Sequence, residues 1–229
     1  MNIFIVPSCI KSIVGKIDYQ DRYEQTLKTF DSIRKQTEDS IIIFCDSSIG
    51  GLSDDHQSTI SSKVDYFLDF STDPNTIEIN QRGLKSLGES YLLGHGIVFA
   101  KNNLNLDQDG RMFKLGGRCE LLDTFTLDDY KDANGKFVFK KRLDSWQDES
   151  IKNHFGATHL LETRLYSWNL NMTDEYFSIL NKNMQLINQG LDTEHAHFIN
   201  VPKEKLLEFD VLNVGCYVAG YTNSYYIRD

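Results

Sequence analysis

The chain of 229 residues lacks several features that would place it in common functional classes. No apolar run approaches the roughly 20 residues that a membrane-spanning helix needs. The first ten residues have neither the cationic start nor the small-residue cleavage site of a signal peptide. The four cysteines form no CxxC pair, which argues against a zinc site, and most lie beside apolar runs. We therefore expect reduced, buried thiols in a cytoplasmic protein.

Positive charge is also scarce: 24 Lys and Arg stand against 33 Asp and Glu, for a formal net charge of −9. Nucleic acids and anionic membranes bind surfaces with clustered Lys and Arg, so the sequence predicts neither partner. A nucleotide pocket needs only a few local cations and remains compatible with this charge. The chain has no G-x-S-x-G motif and no G-x-G-x-x-G after its first strand, which disfavours a hydrolase and a dinucleotide-dependent enzyme.

The most informative segment of the sequence runs from residue 25 to residue 48. Apolar residues recur at helical spacing over 25–34, and the β-branched run 41–45 predicts a strand. An earlier strand is predicted over 3–6, so the chain opens strand, helix, strand. Parallel strands joined in this way present their carboxyl ends on one edge, where ligands of open α/β sheets usually bind. Ser8 and Asp46 fall on that edge.

The rest of the sequence continues the alternation of helices and strands. Hydrophobic residues make up 40% of the chain and aromatic residues 12%, which is enough for a sizeable core. We expect a single α/β domain over residues 1–229, with a mixed sheet flanked by helices. The patterns predict further strands over 63–70, 111–115, 137–142, 157–168 and 212–219, and helices over 76–101, 174–189, 193–198 and 203–209.

The segment SIRKQT…SIIIFCDSS resembles the opening of nucleotide-sugar glycosyltransferases of the GT-A type, in which a helix leads into a strand that ends on Asp. The resemblance implies a GT-A-like, Rossmann-like fold with a nucleotide-binding half, residues 1–101, and a sugar and acceptor half, residues 102–229. It also implies that Asp46 accepts a hydrogen bond from the nucleotide base. Pro7 and Ser8 would then lie against the nucleoside.

Residues 80–89 resemble the helix that follows the third strand in these transferases and approaches the nucleotide or its diphosphate. On this resemblance Asn80, Arg82 and Lys85 are candidate nucleotide-binding residues. A cation beside a diphosphate in a partly dry cleft contributes about 1–3 kcal/mol through a charge-assisted hydrogen bond. The alternative is that both cations are solvent-facing charges on an amphipathic helix.

The strand MFKLGGRCELL resembles a pattern of small viral and capsule-polysaccharide glycosyltransferases, F-K-x-x-G-R-Y-x-L. Adjacent glycines at 116 and 117 can bend a strand or let the backbone come close to a ligand. Lys114 and Arg118 flank that bend and become candidates for the donor diphosphate. The alternative is an edge strand with a bulge and a structural ion pair.

Asp107 and Asp109 have the spacing of the DxD motif by which most GT-A enzymes hold a divalent metal. The resemblance implies Mn²⁺ or Mg²⁺, whose hard oxygen ligands and charge suit a leaving diphosphate. The motif should directly follow a strand, however, whereas this pair precedes one, and Asp-rich turns are common without metals. A metal-independent reaction, with a cation such as Arg118 beside the diphosphate, stays open.

Glu194 opens a predicted helix in the second half, where inverting GT-A enzymes place the carboxylate that takes the acceptor's proton. The resemblance therefore makes Glu194 the candidate base, assisted by His195. The routine alternative is a glutamate that complements the helix dipole. The function implied is transfer of a sugar from a nucleotide-sugar donor to a glycan or another hydroxyl acceptor, by either inverting or retaining chemistry. A sugar nucleotidyltransferase and a non-catalytic nucleotide- or glycan-binding domain of the same fold remain the alternatives.

Overall fold

The computed structural model describes residues 1–13, 17–106, 109–219 and 224–229. The helices within them are α1 (Tyr19–Gln36), α2 (Asp54–Ser61), α3 (Pro74–Gln81), α4 (Lys85–Asn103), α5 (Glu149–Phe155), α6 (Thr173–Asn188) and α7 (Thr193–Asn200). The strands are β1 (Asn2–Ser8), β2 (Ile41–Asp46), β3 (Tyr66–Asp69), β4 (Arg111–Leu115), β5 (Cys119–Leu121), β6 (Phe137–Lys140), β7 (Leu143–Asp144), β8 (His159–Leu160), β9 (Leu165–Asn169), β10 (Leu206–Phe209), β11 (Val214–Ala219) and β12 (Ser224–Arg228).

Seven strands form a mixed sheet in the order β10-β6-β9-β4-β1-β2-β3. Strand β1 pairs in parallel with both β2 and β4, whereas β9 runs antiparallel to β4 and β6. Because the chain first adds β2 and β3 on one side of β1 and later adds β4 on the other, β1 and β4 border a topological switch point. The predicted mixed sheet flanked by helices is confirmed.

Side chains of β1 alternate between the two faces of this sheet, as the twofold period of a strand requires. Phe4 and Val6 pack in the cluster that contains the buried residues of α1, and Ile3 and Ile5 pack in the one that contains those of α4 and α6. Helix α4 lies very close to the sheet at Gly96, where an added Cβ would be 2.6 Å from Ile5 Cγ2. The sheet is therefore covered on both faces.

A smaller antiparallel sheet, β12-β11-β5, carries a disulfide between Cys119 and Cys216. The two residues lie directly opposite each other on β5 and β11, with their Cα atoms 4.1 Å apart. The prediction of reduced thiols is therefore wrong for this pair, while Cys9 and Cys45 are free. Disulfides persist in oxidising compartments, so the cysteines no longer support a cytoplasmic location. Among the described residues, no helix has the length and apolar character to cross a membrane.

Three predicted elements differ from the observed ones. Residues 203–209 form a helical turn followed by the edge strand β10, because pairing with β6 overrides the local helical pattern. The strand predicted over 157–168 is two short strands, β8 and β9, separated by 161–164. The helix predicted over 76–101 is two helices separated at Gly83, whose φ of 69° favours glycine.

Candidate active site

A cleft of about 350 Å³ lies at the carboxyl ends of β1 and β4, at the topological switch point. Strand β1 contributes Pro7 and Ser8, and the start of α4 and the segment between β8 and β9 form further walls. The sequence-predicted residues that line the cleft are Pro7, Ser8, Asn80, Lys85, Lys114, Arg118 and Glu194. The fold thus brings together residues from both predicted halves of the chain.

The turn between β4 and β5 packs directly on the end of β1 through Gly117. An added Cβ at this residue would lie 2.7 Å from Ser8 Cβ and 3.2 Å from the Pro7 carbonyl oxygen. Thr26 Oγ1 of α1 donates to the Gly117 carbonyl oxygen at 2.9 Å. The glycine is thus needed for contact between two backbone segments, and the turn that it allows carries Arg118 into the cleft.

Five cationic side chains line this cleft. Lys114 and Arg164 form ion pairs with neighbouring carboxylates. The other three are Arg22 of α1, Lys85 at the start of α4, and Arg118 in the turn before β5. Arg22 is only 8% exposed, and its Nη1 donates to the Cys9 carbonyl oxygen at 3.2 Å. Arg22 was not predicted, because a single arginine on a helix rich in charged residues carries no local signal. Its place in the cleft follows only from the packing of α1 against β1 and β5.

Arg118 is placed to meet an anion. Its Nη1 is buried, and none of the described residues accepts a hydrogen bond from it. Burial and the positive charge of Arg22 lower the pKa of Arg118 to about 10, and Glu89 opposes this shift. Burial and the charges of Arg22 and Arg118 also lower the pKa of Lys85. Like charges held this close destabilise one another until an anion binds between them.

Lys114 lies in the cleft, but its charge is already neutralised. The side chain is 3% exposed and forms an ion pair with Glu89 of α4. Its Nζ also donates to the Thr163 carbonyl oxygen at 2.5 Å. With these partners Lys114 joins β4, α4 and residues 161–164, so it fits a positioning residue better than the diphosphate ligand that the sequence predicted.

Glu194 lies in the first turn of α7 and faces the cleft. Thr163 Oγ1 donates to its Oε1 at 3.0 Å, and the Leu161 amide donates to its main-chain carbonyl at 3.1 Å. Burial, followed by the negative charges of Asp192 and Glu89, raises the pKa of Glu194 to about 7. A carboxylate with this pKa takes up and releases protons near neutral pH, as a general base must.

His195 does not reach the cleft, contrary to the prediction that it assists Glu194. Its side chain is fully buried, with Nδ1 2.5 Å from Asp192 Oδ1 and Nε2 2.7 Å from Ser145 Oγ. Successive residues of a helix point about 100° apart, and in α7 it is Glu194, not the fully buried His195, that lines the cleft. His195 therefore connects the start of α7 to the segment around Ser145.

Asp46 lies below the surface of the cleft, so contact with a nucleotide base does not fit the geometry. The residue is fully buried, and its carboxylate accepts hydrogen bonds from the amides of Ile10 at 3.1 Å and Ser48 at 2.9 Å. Burial raises the pKa of Asp46 to about 6. Asp46 instead shapes the loop in which the Ser47 carbonyl accepts a hydrogen bond from Asn80 Nδ2 at 2.7 Å.

Arg82, predicted to bind the nucleotide, lies outside the cleft lining. It follows the last turn of α3, its side chain is 63% exposed, and its Nη1 is 3.3 Å from Glu78 Oε1. In a continuous helix, Arg82 and Lys85 would lie on the same face because they are three residues apart. The helix break at Gly83 separates them, so only Lys85 reaches the cleft. The solvent-facing alternative therefore holds for Arg82.

The predicted metal ligands are not part of the cleft as far as the structure describes them. Asp109 precedes β4, at the opposite end of that strand from the cleft, and its carbonyl oxygen accepts a hydrogen bond from the Met1 amino group at 2.6 Å. Asp107 lies outside the described residues. Across the described ranges, no three His, Cys, Asp or Glu residues form a potential metal site. The carboxylates that line the cleft are those of Glu89, which pairs with Lys114, and Glu194, which accepts a hydrogen bond from Thr163. Mn²⁺ or Mg²⁺ requires several oxygen ligands, so these residues do not fit a metal site.

Comparison with known proteins finds similarity in structure alone. No protein family and no curated protein sequence matches the chain. Core-mannan synthase A from Aspergillus fumigatus, in its Mn/GDP form, superposes with a TM-score of 0.50 and 11% identity over 93% of this chain and 73% of its own. An active-site mutant of LgtC superposes with a TM-score of 0.52 and 12% identity, over 91% of this chain and 72% of its own. The galactosyltransferase LgtC, in complex with donor and acceptor sugar analogues, superposes with a TM-score of 0.49 and 13% identity, over 91% of this chain and 73% of its own.

These solved structures are glycosyltransferases, and the fold of this chain is the GT-A fold that the sequence predicted. At 10–13% identity the likeness shows the fold alone. A shared fold does not define an activity, which depends on the residues of the cleft itself.

Proposed function

We propose that this protein transfers a sugar from a nucleotide-sugar donor to a hydroxyl group of a glycan or another acceptor. The observation that carries the proposal is the cleft at the switch point, which places Glu194 and the cations Arg22, Lys85 and Arg118 around one cavity. Inverting nucleotide-sugar transfer uses both features, a positive region for the diphosphate and a base for the acceptor. The GT-A fold supports the same reading.

In this proposal the donor lies across the carboxyl ends of β1 and β4. The nucleoside rests near Pro7, Ser8 and Asn80, and the diphosphate contacts the three cations. The sugar then points toward the second half of the chain, where Glu194 accepts the proton of the attacking hydroxyl. Residues 1–101 would supply most of the nucleotide contacts and residues 102–229 most of the sugar and acceptor contacts. The resemblance to viral and capsule-polysaccharide enzymes, a role in polysaccharide biosynthesis and a cytoplasmic location stay predictions from the sequence, and the last of these has lost the support of the cysteines.

A thermal-shift screen against UDP-, GDP-, CMP- and dTDP-sugars tests donor binding. A donor held at 100 times its dissociation constant should raise the free energy of unfolding by about 2.7 kcal/mol. Release of nucleotide from the donor that binds, followed with a panel of sugar acceptors, then tests transfer.

The variant Glu194→Gln and the control Glu149→Gln separate catalysis from binding. Both residues lie in the first turn of a helix, but Glu149 lies outside the cleft and pairs with Lys152 at 2.9 Å. Only Glu194→Gln should lose transfer while keeping donor binding. If a donor binds but the wild-type protein never turns it over, the chain is a binding domain and the proposal is wrong.

A further inference from the structure

We propose that Arg22, Lys85 and Arg118 take the place of a divalent cation at the donor diphosphate, so that the reaction of this cleft is metal-independent. This inference rests on the proposed function. It differs from the mechanism expected of a chain with a DxD motif, in which a protein-bound metal neutralises the leaving diphosphate.

The positive charge of the cleft is assembled by the fold rather than by one sequence motif. The three residues stand far apart in sequence, on α1, on α4 and in the turn between β4 and β5. They lie close enough for Arg22 and Arg118 to lower the pKa of Lys85. Guanidinium groups offer planar, paired donors that suit phosphate oxygens, and Arg118 Nη1 is buried without an acceptor among the described residues.

The acidic side of the cleft does not suit a metal. Glu89 is engaged by Lys114, and Glu194 accepts from Thr163 and is required as the base. Asp109 lies at the other end of β4. A divalent cation placed near three positive side chains would also be repelled by them, an effect that is strong in a partly dry cleft.

The reaction balances without a metal. The bond between the anomeric carbon and the diphosphate oxygen breaks, and its electron pair stays on the diphosphate. The acceptor oxygen bonds to the anomeric carbon, and its proton passes to Glu194. The negative charge that develops on the leaving oxygen is stabilised by the donors of Arg118, Arg22 and Lys85, which act as preorganised electrostatic groups.

Calorimetric titration of UDP, GDP, dTDP and inorganic pyrophosphate, once with EDTA and once with Mn²⁺, tests the inference directly. For the nucleotide that binds, we expect dissociation constants within threefold of each other in the two buffers. Arg118→Gln and Lys85→Gln should each weaken binding in EDTA about 10- to 100-fold, the effect of losing a charged hydrogen bond. Lys101→Gln is the matched control, because Lys101 lies at the far end of α4 and pairs with Asp174.

Thermal unfolding of each variant without ligand shows whether it is folded, and Arg118→Lys, which keeps the charge, gives a milder second test of the same site. Binding that weakens more than threefold on chelation overturns the inference, and so does unchanged affinity in folded Arg118→Gln and Lys85→Gln. In both cases the proposed transfer reaction survives. Absence of binding by all four probes in both buffers overturns the inference and the proposed function together.

Discussion

Lys114 of β4 and Glu89 of α4 form an ion pair inside the cleft, where the lysine side chain is 3% exposed and the glutamate side chain 37%. Lys114 Nζ also donates to the Thr163 carbonyl oxygen, and the Thr163 hydroxyl donates to Glu194. One buried lysine therefore links the strand at the switch point to the segment that holds the candidate base. Its effect on catalysis would be exerted through the position of Glu194.

Replacing Lys114 by methionine should destabilise the protein, because Glu89 and the Thr163 carbonyl lose their partner. We expect a loss of about 1–3 kcal/mol in the free energy of unfolding, below the usual cost of breaking a buried pair because Glu89 is partly solvated. Urea unfolding measures this loss. The double variant Lys114→Met/Glu89→Gln should recover part of it, and a double variant less stable than Lys114→Met would contradict the ion-pair account.

Asp46→Ala should act on stability rather than on nucleotide contact. The substitution leaves the buried amides of Ile10 and Ser48 without their carboxylate acceptor, which should cost about 1–3 kcal/mol. Asp69 is the control, since it occupies the paired position on β3 and its exposed carboxylate accepts from Ser71. Asp69→Ala should cost less than half as much in urea unfolding. A stable Asp46→Ala protein with weakened nucleotide binding would restore the base-binding role.

Gly117→Ala should disturb both the fold and the cleft, because the new methyl group would overlap with Ser8 and approach the Pro7 carbonyl. We expect a loss of about 1–3 kcal/mol from overpacking and weaker nucleotide binding, as the turn that carries Arg118 shifts. Gly94→Ala is the contrast. Its Cβ would make an ordinary contact of 3.7 Å with Leu180 Cδ2, so this helical substitution should be stabilising or neutral. Equal stability of the two variants in thermal unfolding would contradict the close approach at Gly117.

The sequence predicted the elements whose conformation follows from the periodicity of their own residues. The helix and strand of residues 25–46 and the amphipathic α6 have strong periodicity, and the order of these elements predicted a parallel edge at Ser8. Strand β10 was missed because its conformation depends on pairing with β6. Sequence periodicity carries no information about such a distant partner.

The residues of the candidate site also fall into two groups, those that the sequence predicted correctly and those whose place depends on tertiary packing. Ser8, Lys85, Arg118 and Glu194 reach the cleft because each lies at the end or start of an element that borders the switch point. Lys85 lines the cleft and Arg82 does not, because the helix breaks between them at Gly83. Helical spacing in the sequence does not reveal this break. Arg22 joined the site through the packing of α1.

The Cys119–Cys216 disulfide should be demonstrable by thiol counting. Without reductant, alkylation of the unfolded chain should label two of the four cysteines, Cys9 and Cys45. Reduction should lower the free energy of unfolding by about 2–5 kcal/mol, because the bond closes a long loop in the unfolded chain. Cys9→Ser, which leaves the disulfide intact, is the control. Four reactive thiols in the purified, unreduced protein would contradict the bond.

Glu194 should impose a pH dependence on transfer with a midpoint near neutrality. A general base works only when it is deprotonated, and the pKa of this carboxyl is raised from 4.5 to about 7. We therefore expect kcat/KM to rise with pH and to level off above an apparent pKa of about 7. Glu194→Gln keeps the shape of the side chain and should lower transfer by about 10²- to 10⁴-fold while donor affinity persists.

The same carboxyl should also make stability depend on pH, in a direction opposite to that of an ion-paired acid. Between the unfolded pKa of 4.5 and the folded pKa of about 7, the folded state holds a proton that the unfolded state has released. The free energy of unfolding should therefore fall as pH rises through this window. The pKa of Asp46 is also raised, to about 6, and that of His197 is lowered to about 4, so these groups contribute to the pH dependence as well. The informative quantity is therefore the difference in free energy of unfolding between wild type and Glu194→Gln. Urea unfolding at several pH values should show a shallower decline in the variant, because Gln carries no titrating proton. Parallel curves for wild type and variant would contradict the raised pKa of Glu194 and the predicted midpoint of transfer near neutral pH.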